Sequence, residues 1–197
     1  MPYSKAHKET TRQKILESAI TLFSSKGYDQ VSIDSLMQHA DLTRGAFYAH
    51  FKNKKEVYCK AIFAGARKSM ARVKKPEELN KKEWSRQLLS AYLSKEHVNQ
   101  ETFACPLAFL VTDIANKEPE IKQTYTLVYK QLNHALKKLS NDSDSSVSGV
   151  DEQDVLAITA LMIGGVAIGR ALDDPGTTER LLESCRNKAI ELLERSS

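Results

Sequence analysis

The sequence predicts an all-α protein, a small N-terminal helical unit followed by a larger helical body. Three observations carry that prediction. Apolar residues recur at helical spacing: Leu107, Leu110, Val111 and Ile114 follow one another at i, i+3, i+4 and i+7. The stretch Ser32–Val57, SIDSLMQHADLTRGAFYAHFKNKKEV, reads as two short helices joined by a tight turn. Near the C-terminus, VLAITALMIGGVAIGRAL is apolar nearly all round, the pattern of a helix covered on more than one side.

In chain order, residues 1–8 are a polar tail, and Lys5, Lys8, Arg12 and Lys14 suit phosphate oxygens. A first helix is expected from about Lys8 to Ser25, with Ile15, Leu16, Ala19, Leu22 and Phe23 on one stripe and Gly27 ending it. Ser32 is a good N-cap for the next helix, where Ile33, Leu36, Met37 and Ala40 face inward. Asp41 can adopt the left-handed conformation that the corner needs, less easily than Gly. Thr43 then caps a helix through Arg44, Gly45, Ala46, Phe47 and Tyr48, and Phe47 and Phe51 anchor the unit. This is a helix-turn-helix pattern, whose second helix enters the major groove of DNA.

The polar residues fit that task. Arg44 can fork onto guanine, and Thr43 can reach a base or a phosphate. Tyr48, His50, Lys52 and Lys54 are donors for phosphate oxygens, and Gly45 permits close approach of backbone to a surface. The next helix is expected to start near Asn53 or Lys54. Lysines there oppose the helix dipole, which a bound phosphate would offset, so Lys54 is a candidate contact on physical grounds.

That helix continues to about Val73, and residues 76–82 are charged and turn-like. A further helix is expected from about Lys82 to Val98 with Trp84, Leu88, Ala91 and Tyr92 on one side. Pro106 suits the first turn of another, and Pro119 opens one that buries Ile121, Tyr125, Val128, Leu132, Leu136 and Leu139. SNDSDSSVSGV is a low-complexity loop. The last two helices are expected over Asp151–Leu172, ended by Asp173-Asp174-Pro175-Gly176, and about Thr178–Arg195.

Charge is uneven along the 197 residues. Residues 1–82 hold 17 Lys/Arg against 8 Asp/Glu, and the remainder holds 12 against 17. A basic N-terminal part on a mildly acidic body suits a DNA-binding head on a body that does something else. No apolar run approaches the roughly 18 residues a membrane span needs, and the N-terminus lacks the apolar core of a signal peptide. Three cysteines without framework spacing favour a reducing cytoplasm. No metal-ligand cluster, phosphate loop or paired acid/base constellation is visible, so no cofactor, metal or catalytic residue is expected. An enzyme with an appended DNA-binding head and a non-specific DNA-binding protein are the alternative readings.

Taken together, Thr11-Arg12-Gln13-Lys14-Ile15-Leu16, Ala19, Leu22-Phe23, Lys26-Gly27-Tyr28, Val31-Ser32-Ile33 and the run Gly45–Val57 resemble the DNA-binding domain of the TetR/AcrR family of bacterial transcriptional regulators. The resemblance covers about the first third of the chain. Where the family usually has Ala-Gly-Val-Ser at the turn, this chain has Ala40-Asp41-Leu42-Thr43. The resemblance implies a DNA-binding domain over 9–69 and a ligand-sensing and dimerisation domain over 70–197. The last two helices suit a four-helix interface with their symmetry mates, and pairing two helix-turn-helix units doubles the contacts on a palindrome, so a homodimer is expected. That homodimer would be a repressor on a palindromic double-stranded DNA operator, released by a small-molecule inducer. Candidate DNA contacts are Ser32, Thr43, Arg44, Gly45, Tyr48, His50, Lys52 and Lys54, and candidate pocket residues are Trp84, Tyr92, Phe103, Phe109, Tyr125, Tyr129 and Met162. Cys105, just before Pro106 at an expected helix start, is a candidate sensor of oxidants or electrophiles.

Overall fold

The computed structural model describes residues 5–72, 79–101, 104–140 and 150–195. Phe103, Lys74, Lys75, Pro76 and residues 141–149 lie outside them. The described residues form eleven helices and no strand: α1 (Lys5–Lys26), α2 (Ile33–His39), α3 (Arg44–Tyr48), α4 (Lys54–Arg72), α5 (Lys81–Tyr92), α6 (Lys95–Val98), α7 (Pro106–Phe109), α8 (Val111–Ala115), α9 (Pro119–Ser140), α10 (Glu152–Ala171) and α11 (Pro175–Glu194). By compactness they fall into two units, one of residues up to 68 with 104–126, the other of 69–103 with 127–197.

The first unit is built on the expected stripe of α1. Ile15, Ala19 and Phe23 are fully covered, together with Leu36 and Met37 of α2, Phe47 of α3, Phe51, and Val57, Tyr58 and Ile62 of α4. Gly27 ends α1 at φ +76, its N–H bonded to Phe23 O at 2.8 Å. A Cβ there would be strained by that φ and would sit 3.4 Å from Asp113 Oδ1. The next residues are held from two sides. Asp113 of α8 accepts the Tyr28 N–H at 3.0 Å and the Tyr58 hydroxyl at 2.7 Å. Its other oxygen lies 3.2 Å from the Lys117 ammonium, which also reaches Asp29 at 2.5 Å. From α4, Lys54 donates to Tyr28 O at 2.9 Å and Val31 O at 3.0 Å. The start of α2 is therefore fixed by groups distant in sequence.

In the second unit, Asn80 and Glu83 form a reciprocal cap at the start of α5. The single helix expected over 82–98 is broken. The chain leaves helical geometry at Leu93 (φ −92, ψ 60), and Ser94 caps the short α6. Leu89 rather than Ala91 takes the buried place on α5. The helix expected from Pro106, in the first unit, is likewise interrupted at Leu110. The last helix starts earlier than expected. Asp174 caps it through Gly176 N–H at 3.0 Å and Pro175 takes its first position, so Asp173–Gly176 begins α11 as well as ending α10.

The α10–α11 hairpin depends on small residues. A Cβ at Gly165 would lie 2.9 Å from Leu93 Cδ2 and 3.2 Å from Cys185 Sγ, so any larger residue there would force those side chains to shift. Gly164 faces open space. The expectation that α10 is covered on more than one side does not hold within one chain: Leu156, Ile168 and the following Leu172 are exposed. The absence of a span-length apolar run is corrected too. The 20 residues of α10 are long and apolar enough to cross a membrane, although nearly half are buried in the unit, as in the core helix of a globular domain.

Candidate nucleic-acid interface

The corner between α2 and α3 forms as its residues predict. Ser32 Oγ accepts the Ser35 N–H at 3.0 Å, and Ser35 Oγ accepts the Ser32 N–H at 3.0 Å, a capping box made of two serines. At the other end of α2, Asp41 is left-handed at φ 56. Its N–H bonds to Gln38 O at 3.1 Å and the Leu42 N–H bonds to Met37 O at 2.9 Å. Those two bonds define a Schellman motif with Asp41 where glycine is usual. Thr43 then begins α3 with no side-chain bond to the helix start.

This corner places most of the expected contacts on one surface. Arg44 and Gly45 are exposed, and a Cβ at Gly45 would meet nothing within 4 Å. Tyr48 is 56% exposed, its ring edge-on to the buried Phe47 at 5.3 Å. His50 is half-buried. Burial first, then the Lys8 and Arg12 cations, hold it below the ordinary imidazole range. Arg12 lies over the Phe51 ring at 5.4 Å, which places a cation of α1 beside α3. The Ser32 hydroxyl oxygen serves the cap, leaving its proton to donate outward.

Two residues of the corner escaped the sequence reading. Asp34 and Gln38, four apart on α2, line a groove of about 420 Å3 with Thr43 and Arg44. The signal was available, because i and i+4 on a helix share a face.

Lys54 behaves differently from its expectation. Its ammonium turns back onto two carbonyls and lies 4.1 Å from the centre of the Tyr28 ring. The dipole cost invoked for it is met within the chain. Asn53 Oδ1 accepts the Glu56 N–H at 2.8 Å, and Glu56 in the first turn accepts the Lys52 N–H at 2.7 Å. Lys54→Ala is therefore expected to destabilise the first unit by about 1–2 kcal/mol, the consequence of leaving two carbonyls without that donor. The slope of log affinity for DNA against log salt should change by less than half a unit, since no phosphate contact is lost. Denaturant unfolding and a salt titration of binding check both.

Of the candidate pocket residues, Phe103 lies outside the described residues and the others divide between the two units. Phe109 and Tyr125 belong to the first unit, where Tyr125 donates to Leu107 O at 2.8 Å. Trp84, Tyr92, Tyr129 and Met162 belong to the second, where the Tyr129 hydroxyl is 3.0 Å from that of Thr159. A cavity of about 350 Å3 in the second unit is lined instead by α6 and the α10–α11 turn, with Lys95, Asn99, Arg170 and Asp173 among its walls. Cys105 is 5% exposed and caps the four-residue α7, whereas Cys59 is half-buried.

Comparison with known proteins follows the same division. The model of bacterial regulatory proteins of the tetR family matches residues 15–59. The chain is 39% identical over 51 residues to the biofilm operon icaADBC HTH-type negative transcriptional regulator IcaR of Staphylococcus epidermidis, covering 26% of this chain and 28% of that protein. It is 51% identical over 49 residues to the transposon Tn10 TetC protein of Escherichia coli, a quarter of each. The match thus spans little more than a quarter of these relatives' length. Solved structures extend the likeness of fold to nearly the whole chain. A TetR transcriptional regulator from Legionella pneumophila aligns with a TM-score of 0.73 at 20% identity, covering 98% of this chain and 100% of that one. The reduced form of E. coli NemR aligns with a TM-score of 0.74 at 16% identity, covering 90% and 96%. Residues 15–59 thus match the N-terminal domain of the tetR family of bacterial regulatory proteins, and nearly the whole chain shares the fold of solved TetR regulators.

Proposed function

We propose that the chain is a DNA-binding transcriptional regulator that works as a homodimeric repressor and leaves a palindromic operator when a small molecule binds its body. The observation that carries the reading is the α2–α3 corner, which presents Thr43, Arg44, Gly45 and Tyr48 on one exposed surface above a fully covered core. The relatives matched over this domain include a negative regulator, which favours repression. DNA contact is assigned to 9–69, with Ser32, His50 and Lys52 on phosphates and the α4 backbone, rather than the Lys54 ammonium, at that position. Sensing and dimerisation are assigned to 70–197.

Dimerisation rests on α10. Leu156, Ala160, Gly164, Ile168 and Leu172 recur every four residues, and the three large ones are exposed, an apolar stripe a single chain leaves uncovered. A second copy of the hairpin would cover it, and a two-fold dimer would read half-sites roughly 34–36 Å apart. Release by a small molecule is favoured over modification of Cys105, because reactive thiols are partly exposed and this one is covered.

The test is selection from random duplex DNA with sedimentation of the same protein. A two-fold symmetric consensus bound by a dimer is the expected result, and a monomer at micromolar concentration with no consensus would end the reading. In the same assay Arg44→Ala should cost about 1–3 kcal/mol at one base step and relax preference there. An unchanged consensus would remove Arg44 from the base-reading set.

A further inference from the structure

The groove between α2 and α3 carries a charge that a phosphate-facing surface should avoid. Asp34 Oδ2 lies 2.8 Å from Arg44 Nη1, and both side chains are 61% exposed. They share the groove with Gln38 and Thr43. An exposed pair of this kind adds little to fold stability. Facing a duplex, a carboxylate is repelled by phosphates of any sequence, so on its own Asp34 weakens binding everywhere. Its effect on Arg44 is of another kind. A guanidinium is a planar fork of five N–H donors, equally suited to a guanine edge and to a phosphate. With one edge held by Asp34, the fork stays in the groove between the helices and is withheld from the phosphates on either side.

We propose that Asp34 is a positioning residue that sets sequence specificity: it holds Arg44 toward the base edges, so that random DNA loses a cationic contact while the matching site keeps it. The proposal rests on the DNA-reading function given above. It assigns Asp34 to discrimination rather than to affinity, and Arg44 to a state already oriented before DNA arrives.

The experiment uses the full chain, a duplex that the wild type selects from a random pool, and a scrambled duplex of equal length, with fluorescence anisotropy over a salt series. Asp34→Asn keeps the size and removes the charge. It should bind the scrambled duplex roughly five-fold more tightly, with a salt slope steeper by about 0.9, the signature of one more phosphate contact. The ratio of selected to scrambled affinity should fall. Asp34→Glu, which retains the charge, should stay near the wild-type ratio. In an Arg44→Ala background, Asp34→Asn should no longer steepen the slope. A merely structural role would weaken both duplexes alike and leave the ratio unchanged, and that result overturns the proposal. If the wild type selects no sequence at all, the regulatory reading fails with it. If the wild type selects a sequence and Asp34→Asn keeps the full ratio, only the role of Asp34 falls.

Discussion

Asp113→Ala is expected to destabilise the first unit by about 2 kcal/mol, because removing a half-buried hydrogen-bonded carboxylate leaves its partners unsatisfied. Tyr58 is fully covered, and its hydroxyl donates to Asp113 at 2.7 Å. Burial, and then this carboxylate, push the Tyr58 phenol well above its ordinary range, so it remains a donor at every working pH. Without Asp113, that O–H and the Tyr28 N–H lose their acceptor, and Lys117 loses one of its two carboxylate partners. Hydrogen exchange gives a local reading, since the Tyr28 amide donates directly to Asp113. Its protection should fall further than that of amides inside α10, which belongs to the other unit. Asp113→Asn keeps an acceptor oxygen and should restore part of the loss. Equal protection at Tyr28 in wild type and Asp113→Ala would show that the turn after α1 is held instead by Lys54 and by the Tyr58 ring, which packs edge-on to Phe23 at 4.7 Å and to Tyr28 at 4.9 Å. If the turn does open, α2 loses its fixed start, and DNA affinity should fall with Arg44 and Thr43 untouched.

That prediction marks where the sequence could and could not be read. Most of the local features of the first unit were legible. The α1 stripe, the Ser32 cap, the αL corner at Asp41 and the start of α4 depend on residues within one or two turns, and periodicity and cap chemistry report such neighbours directly. The interruptions at Leu93 and Leu110 were not legible, because both positions carry a good helix former and the break is imposed by covered packing. The start of α11 was misplaced for a different reason. Asp-Pro-Gly ends one helix and caps the next, and reading it once hides its second role. Lys54 shows the limit of an electrostatic argument made on one helix. The unfavourable charge at its start was read correctly, but its resolution lay in carbonyls more than 20 residues earlier.

A pH titration followed at the tryptophan of the second unit should report on His97. His97 in α6 is fully covered, with Nδ1 2.7 Å from Tyr92 O and the Tyr92 ring edge-on at 4.5 Å. A carbonyl can only accept, so Nδ1 carries the proton of a neutral ring. Burial is the main reason its pKa is pushed down to about 4, and the Arg170 cation adds to the effect while the carbonyl opposes it. Unfolded, the same imidazole titrates near 6.5. Between these values the unfolded chain binds a proton that the folded unit refuses. Stability should therefore be lost as pH falls from about 6.5 toward 4, by about 1.4 kcal/mol per pH unit and about 3 kcal/mol in all. Below pH 4 this group contributes no further change. The upper part of the window, from about 6.5 to 5, precedes the titration of Glu179 and Asp174, whose carboxyls are held below their usual range by Lys95 and by Thr177 and Gly176. The single tryptophan, Trp84, is covered within this unit, so its fluorescence during denaturant unfolding follows the right part of the chain. His97→Gln, whose amide can still donate to Tyr92 O, should be less stable at pH 7 yet flat between pH 6.5 and 5. The same slope in wild type and His97→Gln would place the titrating group elsewhere. A flat wild-type profile would mean that the imidazole takes up its proton in the folded unit as readily as in water, and that α6 opens on a faster scale than its burial implies.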